Sequence, residues 1–91
     1  MRPTRTKEER SAEQIERGMA AARLIDDAVV IAFFEAERAR YVDEMVSAPV
    51  EDDGKRRAAA LKLQALEDLR KHLATQAALG RREQEKAKSH G

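Results

Sequence analysis

His72 and His90 are the only histidines in a chain that has no cysteine, which narrows at once what coordination chemistry it can do. Asp68 and His72 stand at i, i+4 and could touch one metal ion from a single helix face. Tetrahedral zinc would need further carboxylates at unusual spacing, and a solvated helix pair accounts for the two residues as they stand. Glu51-Asp52-Asp53 places three acids before Gly54. They are consecutive, where a calcium loop alternates its ligands, and the start of a helix explains them better: one carboxylate accepts the first free amide hydrogens while the others face the positive end of the helix dipole. Asp26 and Asp27 are adjacent, so at about 100° per residue they point in different directions on a helix and do not form a general acid/base pair. There is no glycine-rich phosphate loop, and no Ser, Thr or His has the context of a nucleophilic triad. The reading is a non-enzymatic protein with no metal and no cofactor.

Basic clusters are the other candidates. Arg2, Arg5, Lys7 and Arg10 open the chain, Lys55-Arg56-Arg57 follow the acidic trio, and Arg81, Arg82, Lys86 and Lys88 lie near the end. They could grip phosphates. Glu8, Glu9, Glu83 and Glu85 are interleaved with them, however, Asp52 and Asp53 adjoin the middle cluster, and no aromatic residue is near for base stacking. Residues 11–79 carry more acids than bases. A nucleic-acid-associated accessory protein using its basic termini is therefore the alternative reading, not the favoured one.

The elements that must position these residues are all helical. The chain has 91 residues, 42 % of them hydrophobic and 38 % charged, with a net charge of +1. Seventeen of the apolar residues are alanine, so a thin core of patterned helix is implied. The longest strongly apolar run, Ala28 to Phe34, is too short to span a bilayer, and the charged opening does not resemble a signal peptide, so no membrane partner and a cytoplasmic location are expected. Thr6-Lys7-Glu8-Glu9 and Ser11-Ala12-Glu13-Gln14 both fit a capping box, and helix one begins near one of them. The spacing predicts a basic segment at 1–10, helix one over 11–46, a turn at 47–53 around Pro49 and helix two over 54–79. Gly18 marks a bend or a frayed first turn, Gly80 ends helix two as a left-handed cap, and 80–91 is a charged tail.

Helix two carries one apolar seam, Ala59, Leu63, Leu66, Leu69, Leu73 and Ala77. Helix one offers Ala22, Ile25, Val29, Ala32, Phe33, Ala36 and Ala39 to it, with Ala36 opposite Leu66 and Val29 opposite Leu73. A second stripe on helix one, Leu24, Ile31, Phe34, Tyr41 and Met45, is left uncovered by a hairpin. The fold class predicted is thus all-α, an antiparallel two-helix hairpin associating into a larger bundle. The second stripe is its partner-binding surface, and a further copy of the chain or another protein is the partner.

The turn Ser47-Ala48-Pro49-Val50-Glu51-Asp52, Arg56 or Arg57, and Leu63-Gln64-Ala65-Leu66-Glu67-Asp68-Leu69 resemble the short helical proteins of tailed-bacteriophage and prophage structural gene clusters. The resemblance covers about a third of the chain. It implies an assembly or structural component, with a virion as the place of action, and it carries over no active-site residues.

Overall fold

The computed structural model describes residues 4–90. Arg2 and Pro3 of the basic opening segment and Gly91 of the charged tail lie outside them. Three helices are present, α1 (Lys7–Asp26), α2 (Ala28–Ser47) and α3 (Asp53–His90), and the described residues contain no strand. The all-α class holds, whereas the two-helix hairpin does not.

The long first helix is divided at Asp27. Its backbone is extended (φ −74°, ψ 125°), and its Oδ1 accepts from the amides of Val29 (2.9 Å) and Val30 (3.0 Å), so the carboxylate caps α2. The β-branched run Val29-Val30-Ile31 follows directly. Such residues lose side-chain freedom in a helix, which lowers the cost of interrupting it here. At the start of α1 the first capping candidate is the one used: Thr6 Oγ1 accepts from Glu9 N at 3.1 Å, and the helix begins at Lys7 rather than at residue 11. Gly80 does not end the second long helix. No described glycine has a positive φ, and α3 continues through the stretch expected to be a tail, on good helix formers such as Arg, Glu, Gln, Lys and Ala, as far as His90.

Two compact units divide the chain, one formed by Met1–Ile25 with His72–Gly91 and the other by Asp26–Lys71. In the first, α1 lies antiparallel to the C-terminal part of α3. Ser11 Oγ donates to Glu83 Oε2 (2.9 Å) and Gln14 Nε2 to Gln76 Oε1 (3.2 Å). Both residues belonged to the second capping candidate, and in the fold they bond across helices instead. Further along, the backbones themselves meet. A Cβ on Gly18 would stand 2.6 Å from the Gly80 Cα and 2.8 Å from the Gln76 carbonyl oxygen, and one on Gly80 would stand 2.7 Å from the Gly18 Cα. Ala21 and Ala77 beside them are each 4 % exposed. Gly18 is therefore neither a bend nor a frayed end but half of a contact that a larger side chain would prevent.

In the second unit α2 lies antiparallel to the N-terminal part of α3, with Arg38 paired to Glu67 (3.6 Å) and Lys62 to Glu44 (3.9 Å). Residues 48–52 make the turn. Asp52 caps α3 by accepting from Lys55 N at 3.0 Å, while Asp53 pairs with Arg56. Ala48 and Ala59 are buried here, and Val30, Phe34, Tyr41, Met45, Leu63 and Leu66 are half-buried.

Candidate interaction surface

Covered positions of α3 recur at steps of three and four, 56, 59, 63, 66, 73, 77, 80 and 84, with Arg70 at the one exposed step and covered 67, 76, 79 and 83 beside them. Leu69 sits one residue off this register and is 49 % exposed, so it does not belong to the seam expected of it. On α1 the same alternation gives 11, 14, 18, 21 and 25. Carried on without interruption it would reach 28, 32, 35 and 39, close to the stripe that the sequence offers to helix two. The positions of α2 that are covered are 30, 34, 37, 41, 42, 44 and 45, and the C-cap Ala48 follows them. Most of the covered positions of α2 are thus shifted by two residues from that continuation, across the single non-helical residue Asp27.

That slip exchanges the two faces of α2. Val29, Ala32, Phe33, Ala36 and Ala39, expected to meet helix two, are exposed, with Val29 at 77 % and Phe33 at 54 %. The partner-binding stripe is redistributed. Phe34, Tyr41 and Met45 are half-buried on the covered face of α2, Ile31 remains exposed beside it, and exposed Leu24 belongs to the other unit. Tyr41 is held firmly. Its hydroxyl donates to Glu37 Oε2 at 2.7 Å, Arg40 Nη2 donates to the same oxygen at 2.8 Å, and the Lys62 ammonium lies 5.8 Å from the ring centroid. The hydrogen bond to Tyr41 and the charge of Glu37 raise the Arg40 pKa further, keeping a fixed cation on α2.

The bases read as phosphate-gripping candidates are partly occupied. Arg56 Nη2 donates to the carbonyls of Ala48 (3.1 Å) and Pro49 (3.0 Å), and its Nη1 to Asp53 Oδ1 (3.0 Å). One guanidinium thus satisfies the end of α2 and ties it to the start of α3, a role that the plain run Lys-Arg-Arg does not announce. Arg5 pairs with Glu13 at 2.7 Å, and Lys86 with Glu83 at 3.4 Å. The Glu83 carboxyl titrates below its ordinary value, chiefly because Ser11 donates to it, then because of Lys86, with the charge of Lys7 adding to both. Among the described residues, no group of three or more His, Asp or Glu side chains is placed to hold a metal ion, and no helix is long and apolar enough to cross a membrane. His72 and Asp68 are both exposed.

What remains as a candidate surface is one flank of the second unit. Lys62 and Glu44 mark it. Phe33 lies eleven residues, three turns, before Glu44, and Leu69 seven residues, two turns, after Lys62, so both project toward the flank of that ion pair. Val29 and Ala36 on α2 and Ala58 and Ala65 on α3 accompany them, all exposed. Arg38 and Glu67 lie roughly 120–140° around their helices from the first pair and mark the opposite flank. Comparison of the chain with protein-family models, with curated proteins and with solved structures finds no match in any of the three.

Proposed function

We propose that this chain is a non-enzymatic helical association element whose activity is assembly with further copies of itself. The observation that carries this reading is the composition of its interior. The only buried hydrophobic residues described are four alanines, no described large side chain is fully buried, and nine large hydrophobic side chains are exposed. Burying a Leu or Phe side chain contributes about 1.5–3 kcal/mol, so covering the exposed ones leaves association a driving force that the single chain does not use. The resemblance of the turn and second helix to tailed-phage structural proteins supports a phage particle as the setting of such an assembly. The nucleic-acid alternative draws less support, because Arg5, Arg56 and Lys86 each already serve a carboxylate or a carbonyl of this chain.

Light scattering and sedimentation of the full chain over a wide concentration range test the proposal. The expected result is a mass above that of one chain, rising with concentration. A monomer at every concentration, including the highest, overturns it.

A further inference from the structure

We propose that the apolar flank of the second unit is covered by the same flank of a second copy, in a two-fold dimer that seats α2 of each chain antiparallel on α3 of the other. This rests on the self-association reading and adds to it a surface, a symmetry and a pairing.

The surface follows from the register slip at Asp27. Val29, Phe33 and Ala36 of α2 and Ala58, Ala65 and Leu69 of α3 share one flank, and all are exposed. The small residues matter as much as the large ones. Alanines between Phe33 and Leu69 let a facing helix approach closely enough for those two side chains to reach into it.

Charge selects the occupant and its orientation. On the flank itself α2 carries Glu37, Asp43 and Glu44 against the one base Arg40, whereas α3 carries Lys55 and Lys62. Two flat helix pairs can stack with their two-fold axis either across the helices or along them. The first choice lays α2 on α2 and α3 on α3, like charge on like. The second lays α2 on α3 of the other copy, acid on base, and keeps the heights seen within one chain, so that Asp43 and Glu44 meet the region of the other copy's Lys62. Opposed like charge at an interface is costly, and the second choice is therefore the one proposed. Helix directions alternate throughout the resulting four-helix arrangement, as in an up-down bundle.

The test uses the full chain with Phe33→Asp, Leu69→Lys, and the opposite-flank control Ile31→Asp, followed by sedimentation velocity and far-ultraviolet circular dichroism. All three positions are exposed, so helix content should persist. Phe33→Asp and Leu69→Lys are expected to weaken self-association at least about a hundredfold, equivalent to ~2.7 kcal/mol, and Ile31→Asp to leave it unchanged. The absence of native cysteine allows the pairing to be read directly. Ala36→Cys chains mixed with Leu69→Cys chains should form an interchain disulfide, and Ala36→Cys chains alone should not. An assembly that tolerates both flank substitutions, or that Ile31→Asp disrupts equally, overturns this surface while leaving self-association standing. Disulfide formation by Ala36→Cys chains alone, or none in the mixture, overturns the pairing. A wild-type chain that is monomeric throughout overturns both the dimer and the association reading.

Discussion

Where α1 meets α3, two glycines bring the backbones together and Ile15, Ile25, Leu73 and Leu79 of that unit are half-buried; where α2 meets α3, large side chains held partly in solvent make the contact around buried Ala48 and Ala59. Gly18, Gly80, Ala21 and Ala77 bring two backbones together. Phe34, Tyr41, Met45, Leu63 and Leu66 fill the other contact without any of them becoming fully buried. A close glycine contact gains its stability from backbone proximity and tolerates no added volume. A contact of large side chains between only two helices always leaves flanks exposed. The first leaves Met19 and Leu24 exposed, while the second leaves Val29, Ile31, Phe33, Val46, Val50, Leu61 and Leu69 exposed and so has the more to gain from a partner.

The sharpest way to break this comparison is to add volume to the glycine contact. In an unpacked helix interior Gly→Ala gains about 1 kcal/mol. At Gly18 and Gly80 the added Cβ would meet backbone atoms at 2.6–2.7 Å, so the helices must part. Gly80→Ala and Gly18→Ala are each expected to destabilise the chain by ~2 kcal/mol, in the range of core overpacking, measured by urea or thermal unfolding. A gain in stability would show that α1 and α3 do not touch there.

In the other unit the corresponding lock is Arg56. Arg56→Ala removes donors from the Ala48 and Pro49 carbonyls and from Asp53, and should cost about 1–2 kcal/mol. Arg56→Lys should recover little, because an ammonium cannot reproduce the fork of the guanidinium. Full recovery by lysine would reduce the residue to a charge near a helix end.

Residue type alone carries much of this fold. Helical patterning, the Pro49 turn and a cap within the acidic trio are all legible, because each depends on neighbours in the chain, whereas Thr6 and Ser11 offer equal caps and residue 11 is not the start. The Asp27 break is not, because Asp26-Asp27 inside an apolar pattern looks like two solvated acids, and no Glu or Gln three residues later completes a capping box. With the covered positions shifted at that residue, Phe34, Tyr41 and Met45 lie on the covered face of α2, Leu24 and Ile31 stay exposed, and Val29, Phe33 and Ala36 are exposed as well. Gly80 misleads in a similar way. A glycine followed by two arginines has the form of a helix end, and only the facing Gly18, 62 residues away in sequence, gives it a different purpose.

The smallest expected effect concerns the polar end of the glycine-based unit, where Ser11 donates to Glu83. The carboxyl pKa is lowered in the fold, so the ionised form is the one stabilised. Its contribution is fully present above the ordinary glutamate pKa and is lost as the pH falls through the lowered folded value. Ser11→Ala removes the largest cause of the shift. Titration of Glu83 by nuclear magnetic resonance should then show its pKa moving up toward the ordinary value, with the remaining depression due to Lys86 and Lys7. The stability difference between wild type and Ser11→Ala should shrink as the pH is lowered through that range. A Glu83 titration curve indifferent to Ser11→Ala would mean that the hydroxyl does not reach across the helices, which leaves Gln14–Gln76 as the polar bond beside the glycine contact.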